Sequence, residues 1–145
     1  ILDLPKTLEY LETKGVPVIG YQTQVFPAFY YTDSGIVLKS SVQSVEELAR
    51  RVAIQSHIDT RTGVLIANPI PKEHALPKEA VEKLIQQAIH EANEQNISGY
   101  QLTPFLLARL KTLSHGESVE SNLALVFNNV KVASQLAVAL SKMTI

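Results

Sequence analysis

Three asparagines near the end of the chain carry the side chains best suited to bind a polar ligand. Asn122, Asn128 and Asn129 lie within SVESNLALVFNNV, residues 118–130, a segment otherwise typical of a buried helix. Asparagine is a mediocre helix former because its side chain competes for backbone hydrogen bonds. A buried amide left unpaired costs about 1–3 kcal/mol. These amides are therefore expected either to satisfy neighbouring backbone groups or to face a ligand.

Helical geometry separates the three amides. At 100° per residue, Asn122 and Asn129 fall within about 20° of each other, on the side of Leu125 and Val126. Asn128 points elsewhere, and we expect it to reach a neighbouring loop. Two interpretations of Asn122 stay open: it bonds loop backbone, or it faces a polar ligand from the first turn of the helix.

A fourth asparagine follows a short apolar run. Residues 64–67 predict a buried strand that Asn68 and Pro69 end. Ligands of open parallel sheets bind at the carboxyl ends of the strands. Asn68 is therefore a candidate substrate-binding residue. The alternative is that Asn68 only caps the strand.

The histidines do not indicate a metal or nucleophile site. His57, His74, His90 and His115 have no partners at metal-ligand spacing and belong to no Ser-His-Asp signature. His57 with Asp59 is a weak pair, better explained as polar residues at a helix end. The six glycines are scattered and form no phosphate loop, and the chain has no cysteine. We expect no metal ligand in this chain.

The composition indicates one globular unit. The chain has 145 residues, 46% of them hydrophobic and 19% charged, and its net charge is −1. No run of lysine or arginine indicates a nucleic-acid-binding surface. No apolar stretch approaches the roughly 18 residues of a membrane span, so no membrane contact is expected.

Hydrophobic periodicity and turn signals predict strands alternating with helices, and hence an α/β fold. Thr103 is the predicted N-cap of one helix and Ser118 that of the last, which runs to about Ser141. The predicted strands are residues 16–22, 36–40 and 64–67, and the predicted helices begin near residues 5, 44, 77, 103 and 118.

The predicted sheet is small for an independent α/β domain. The chain also begins at Ile1 without methionine, and Ile1, Leu2 and Leu4 resemble the continuation of a folded element. We therefore expect residues 1–145 to be part of a larger domain whose other strands lie elsewhere.

Four sequence blocks identify a family resemblance. In chain order they are ILDLPKTLEYLETKGVPVIGYQTQVFPAFY, VLIANPIP, TPFLLARLKTL and SNLALVFNNVKVASQLAVAL. Together they resemble the pseudouridine-5′-phosphate glycosidase family, also called indigoidine synthase A-like. The resemblance covers essentially the whole chain but only the C-terminal half of that family.

The resemblance implies an enzyme with an α/β/α layered fold and a small, mostly parallel sheet in this half. It implies reversible cleavage of the C–C glycosidic bond of pseudouridine 5′-phosphate, giving uracil and ribose 5-phosphate. The family opens the ribose ring and forms a Schiff base on a lysine, whose iminium is the electron sink. It also implies a homotrimer and a bound divalent metal, usually Mn²⁺. The sequence leaves the cellular compartment open, and we favour the cytoplasm.

The family's reactive residues fall mostly outside this sequence. The Schiff-base lysine is expected about two residues ahead of Ile1, so neither Lys6 nor Lys14 is assigned as the nucleophile. The acid carboxylate and the metal-binding aspartate are also expected upstream. Asn122 matches an active-site asparagine of the family, and is expected to orient the substrate or the lysine. Asn68 lies in a family motif without a known role.

Two other functions stay open. A non-catalytic fragment would act as an assembly module, with the aromatic segment 26–31 as a contact surface. A related sugar-phosphate glycosidase would keep the fold and change the substrate. In either enzymatic case, we expect this half to be inactive without the missing N-terminal half.

Overall fold

A computed structural model of the chain describes residues 3–58 and 62–143. Ile1, Leu2 and Asp59, named above, lie outside the described residues. The helices are α1 (Leu4–Thr13), α2 (Val45–His57), α3 (Lys78–Glu94), α4 (Leu102–Leu113) and α5 (Glu117–Ser141). The strands are β1 (Val18–Tyr21), β2 (Ser41–Val42) and β3 (Leu65–Ala67), and short 3-10 turns span Lys72–His74 and Gly99–Gln101.

The three strands form one parallel sheet in the order β2-β1-β3. This confirms the predicted α/β class. The strand predicted at residues 36–40 is wrong, because β2 begins only at Ser41. Val37 instead forms an isolated antiparallel bridge with Val25 and takes no part in the parallel ladder.

Helices lie on both faces of the sheet. Ile19 and Tyr21 are two residues apart on β1 and therefore point to the same face of the sheet. On that face they form a core with Leu48 of α2 and with Val132 and Leu136 of α5. On the opposite face, α1 and segment 36–40 form a cleft beside Val18. The predicted α/β/α layering is therefore confirmed.

Gly20 allows the backbone to turn closely behind β1. A Cβ atom at this position would lie 2.3 Å from the carbonyl oxygen of Thr23 and 2.8 Å from Cδ1 of Leu38. Both distances are shorter than van der Waals contact, and the first involves backbone. The chain leaving β1 can fold back in this way only because residue 20 has no side chain.

Helices α3 and α4 pack as an antiparallel pair through small residues. Ala88 and Ala92 are fully buried against Leu106. Tyr30 is also buried, at 3% exposure, and joins Val81 and Leu110. The aromatic segment 26–31 is thus partly core and not wholly a free contact surface.

An ion pair between Glu91 of α3 and Arg109 of α4 makes stability depend on pH. The Arg109 Nη2 group donates to Glu91 Oε1 at 2.9 Å, and Nε donates to Oε2. These hydrogen bonds lower the pKa of the Glu91 carboxyl below 4.5, its ordinary value. A lowered pKa in the folded state stabilises the fold above the unfolded pKa, and this contribution is lost as pH falls through the folded pKa.

We therefore predict that Glu91→Gln lowers the melting temperature at pH 7, and that the difference from the unsubstituted chain shrinks as the pH falls below 4.5. Thermal unfolding followed by circular dichroism, at pH 7 and at a pH below 4.5, measures this difference in melting temperature. Glu73→Gln, at an exposed site, is the control. A difference that is equal at both pH values would contradict the assignment.

Two predicted helix starts are wrong by one or two residues. Helix α4 begins at Leu102, after the 3-10 turn Gly99–Gln101, so Thr103 is not its N-cap. Helix α5 begins at Glu117 after Gly116, whose φ of +94° makes the left-handed turn that separates the two helices. Ser118 lies inside α5, and its N–H donates to the Ser114 hydroxyl at 3.1 Å.

Helix α5 is more exposed than its sequence predicts. Phe127 is 69% exposed and Val130 is 58% exposed, so the segment is not a buried helix in this chain. Its 25 residues also meet the length and composition of a membrane-crossing helix, contrary to the sequence expectation. One side of α5 nevertheless packs on α2 and the sheet as a layer of the α/β unit.

Candidate functional site

Two hydrogen bonds from asparagine side chains join the carboxyl end of β3 to α5. Asn68 follows β3 directly, and its Nδ2 group donates to Oδ1 of Asn129 at 2.9 Å. One residue earlier on α5, the Nδ2 group of Asn128 donates to the carbonyl oxygen of Pro69 at 3.0 Å. The structure therefore joins three of the four asparagines singled out in the sequence.

These bonds resolve the role of Asn128. The prediction that its side chain reaches a neighbouring loop is confirmed. Asn129 has an amide partner and needs no ligand to satisfy its Oδ1 atom. Asn68 is half-buried, and its carboxamide oxygen accepts no hydrogen bond from the part of the chain that is described. That oxygen is available to a ligand at the strand end.

Asn122 is not bonded to the other asparagines. It is the sixth residue of α5 and lies in the second turn, one turn later than the sequence predicted. Its side chain is half-buried and has no hydrogen-bond partner among residues 3–58 and 62–143. It lies roughly 10 Å along the helix from Asn129, at 1.5 Å per residue. A half-buried amide without a partner is free to bind an incoming polar group.

Ser121, the residue before Asn122, is a second polar residue of α5 without a hydrogen-bond partner among the described residues. Its hydroxyl oxygen is buried and finds no partner in the described part of the chain. An unpaired buried hydroxyl is costly. No sequence pattern marks Ser121, because a serine in a helix commonly bonds the preceding turn. Two adjacent polar side chains of α5 thus lack partners here.

An apolar groove of about 590 Å³ follows the outer side of β3, and we name it the edge groove. Asn68 and Asn129 lie within it. One wall is formed by side chains of α5. The other is formed by Leu4 and by the aromatic rings of Phe26 and Phe29. Its apolar and aromatic lining includes Phe26, Phe29, Leu65, Ile66, Ile70, Leu125, Val132, Leu136 and Leu140.

A second cleft, of about 870 Å³, opens at the carboxyl ends of β1 and β2. Gln22 and Ser44 line it, together with Arg50 and Lys142. Both cationic side chains are exposed, and neither forms an ion pair within the described ranges. No sequence pattern marks this cleft, because its residues come from three separate elements.

The described residues do not provide a set of ligands for a metal. No three His, Asp or Glu side chains in residues 3–58 and 62–143 lie close enough to hold one ion. Manganese prefers carboxylate and other oxygen ligands. This chain's own described residues do not fit Mn²⁺, and no chemical step is assigned to a metal here.

The two lysines nearest the start of the chain have other contacts. The Lys6 ammonium group lies 3.2 Å from the Asp3 carboxylate, and the Lys6 side chain is 81% exposed. The Lys14 ammonium lies 5.6 Å from the ring centroid of Tyr10. Neither lysine is buried in a site that favours an amine nucleophile.

Comparison with known proteins gives one consistent result. The family model described as indigoidine synthase A like protein matches residues 1–139. The pseudouridine-5′-phosphate glycosidase of Caldanaerobacter subterraneus is 48% identical over 143 residues, which cover 99% of this chain and 47% of that protein.

Two solved structures share the fold. The prealnumycin C-glycosynthase in complex with ribulose 5-phosphate is 30% identical with a TM-score of 0.88, over 97% of this chain and 46% of that one. An indigoidine synthase A-like protein of Thermotoga maritima is 32% identical with a TM-score of 0.87, over 98% and 47%. The chain spans about half the length of these relatives.

Proposed function

The chain belongs to the family of indigoidine synthase A-like proteins, and on this premise we propose that residues 1–145 form the C-terminal half of one pseudouridine-5′-phosphate glycosidase domain. The observation that carries the proposal is the 48% identity to a protein of that name across 99% of the chain. Such similarity, which extends along nearly the whole chain, favours a shared reaction.

The proposed reaction is reversible cleavage of the C–C bond between uracil and ribose 5-phosphate. A lysine amine attacks the sugar C1 carbon as the bond from C1 to the ring oxygen breaks, and the proton that the amine loses goes to that oxygen, which opens the ring. When the C–C bond breaks, its electron pair stays with uracil C5, which takes a proton from a carboxylic acid. The lysine nitrogen stabilises the electron-deficient C1 as an iminium, and water then releases ribose 5-phosphate. The lysine and the acid are proposed to lie in the missing half.

The proposed contribution of this chain is an orienting amide. Asn122 lies in the second turn of α5 with no partner in the described structure, and can donate to a sugar hydroxyl or hold the lysine. The positive end of the helix dipole also favours an anionic substrate near this end of α5. Asn68, with its free carboxamide oxygen, is a second proposed substrate contact.

Several properties of the complete protein follow from the same proposal. We propose a homotrimer, a Mn²⁺ held by residues outside this chain, and a cytoplasmic location suited to a nucleotide substrate. This chain alone is proposed to be inactive. It would release no uracil until the missing half is supplied.

The Schiff base gives a direct test. We predict that the complete protein, incubated with ribose 5-phosphate and borohydride, gains a stable sugar-phosphate adduct, because borohydride reduces the imine to an amine. Denaturing mass spectrometry should place the adduct on a species larger than 16.0 kDa, or on a peptide outside this chain after digestion. An adduct on Lys6 or Lys14 would overturn the assignment of the nucleophile to the other half.

The match to the C-glycosynthase supports a second candidate function. That protein is named for C-glycosidic bond formation and was solved with a pentose phosphate. A related sugar-phosphate enzyme would bind a similar sugar beside Asn122 and a different acceptor. Comparing uracil with other carbon nucleophiles, each with ribose 5-phosphate, distinguishes the two. A fragment that supports no reaction when combined with the missing half would instead favour a non-catalytic assembly module.

A further inference from the structure

The backbone of Asn68 is fixed on both sides at the carboxyl end of β3, the edge of a parallel sheet at which ligands bind. Ala67 before it is 5% exposed, and Ile70 two residues later is 2% exposed. Pro69 restricts Asn68 to an extended conformation, because the proline ring clashes with a helical residue in front of it. The fold therefore sets the direction in which the Asn68 side chain leaves the backbone, before any ligand binds.

The hydrogen bond to Asn129 fixes the remaining rotation of the Asn68 side chain. The terminal torsion of an asparagine is broad and has no strong preference of its own. Because Asn68 Nδ2 donates to Asn129 Oδ1 at 2.9 Å, the Asn68 nitrogen faces α5 and its Oδ1 atom faces away from Asn129. Without this bond the amide could turn by half a rotation and exchange its oxygen for its nitrogen. The bond thus makes Asn68 present an acceptor.

A second hydrogen bond already fastens the same strand end to α5. The Nδ2 group of Asn128 donates to the Pro69 carbonyl oxygen at 3.0 Å, and so holds the backbone. The bond between Asn68 and Asn129 holds only a side chain, and Asn129 is exposed. An exposed hydrogen bond replaces one to water and adds little to stability. Orientation of the Asn68 amide is therefore the main consequence of the bond to Asn129.

We infer that Asn129 is a positioning residue, which holds the Asn68 Oδ1 atom so that it accepts a hydrogen bond from an N–H or O–H donor of the substrate. The inference rests on the proposed function only for the ligand, whose uracil ring offers N–H donors and whose pentose offers O–H donors. A phosphate group at neutral pH offers mainly acceptors and does not match this oxygen. Because the amide is already restricted, less side-chain entropy is lost when the donor binds.

Calorimetric titration of the complete protein with ribose 5-phosphate, and separately with uracil, tests the inference without a catalytic measurement. Asn129→Leu keeps the size of the side chain and removes its acceptor, so the Asn68 amide becomes free to rotate. We expect this variant to raise the Kd of one of the two ligands about five- to tenfold, the factor for one hydrogen bond to a ligand, and to leave the other within about twofold. The ligand that is affected identifies the donor.

Two matched variants separate positioning from a structural role. Asn129→Asp can only accept, so it holds Asn68 Nδ2 in the same orientation and should keep both Kd values within about twofold. About 0.5 M salt in every titration screens the charge that aspartate adds. Asn128→Leu removes the other bond between α5 and this strand end and leaves the Asn129 side chain in place, so both Kd values should stay unchanged.

Circular dichroism checks that each variant is folded, and Asn129→Ala repeats the test if the leucine variant is not. Four results would overturn the inference: unchanged Kd values in Asn129→Leu, an equal rise for both ligands, an equal rise in Asn128→Leu, or a rise in Asn129→Asp as large as in Asn129→Leu. Failure of the unsubstituted protein to bind either ligand would overturn it together with the proposed function. The expected changes in Kd, in a protein that releases no uracil from pseudouridine 5′-phosphate, would contradict the proposed reaction and support the role of Asn129.

Discussion

Asn122→Ala in the complete protein is expected to reduce the rate of uracil release from pseudouridine 5′-phosphate by about 100-fold. Removal of one positioned hydrogen-bond donor from an active site typically costs 10²–10³ in rate. The Asn122 side chain has no hydrogen bond to lose within the described chain. The melting temperature should therefore change little, and the loss should appear in the rate. Steady-state kinetics with detection of uracil measures the effect.

Two further variants distinguish a role in the reaction from a structural one. Asn122→Asp keeps the shape of the side chain and removes its N–H donor, so a loss as large as that of alanine would identify the donor as the important group. Asn93→Ala removes an exposed amide from α3 and should leave the rate unchanged. A rate within twofold of normal for Asn122→Ala would exclude Asn122 from the site.

Leu48→Ala is expected to reduce the free energy of unfolding by about 3 kcal/mol, within the 2–5 kcal/mol usual for leucine in a packed core. Leu48 is fully buried at 0% exposure and lies between the sheet and α5. Shortening the Leu48 side chain to alanine leaves a cavity in the core between the sheet, α2 and α5. Urea unfolding followed by circular dichroism measures the change at the denaturation midpoint.

Ile54→Ala provides the control on the same helix. Ile54 is 53% exposed, so its shortening removes little buried area and should cost less than about 1 kcal/mol. Equal losses for the two variants would show that α2 does not pack on the sheet through Leu48.

The two predictions concern adjoining sides of α5. Leu48 packs against the part of α5 that faces the sheet, where Val132 and Leu136 lie. Asn122 lies on the adjoining side and is half-buried. A loss of packing at Leu48 is therefore expected to change stability, whereas a loss at Asn122 is expected to change the reaction.

Local chemistry in the sequence was sufficient for much of the fold. The Ser44 side chain accepts the Glu47 N–H at 3.2 Å, as the spacing of a capping motif predicts. The apolar run at residues 64–67 predicted a strand, and β3 forms there. Each prediction depended on residues a few positions apart, whose preferences act whether or not the rest of the chain is folded.

Tertiary structure alone decided what the asparagines do. Asn68 and Asn129 are far apart in sequence, and only the crossing of α5 over the end of β3 brings them within 2.9 Å. The exposure of α5 is likewise a tertiary property, because an apolar pattern states what should be buried but not what is present to bury it. The sequence by itself determined which side chains could form a site. The packing of α5 determined which of them were already bonded, and left Asn122 free.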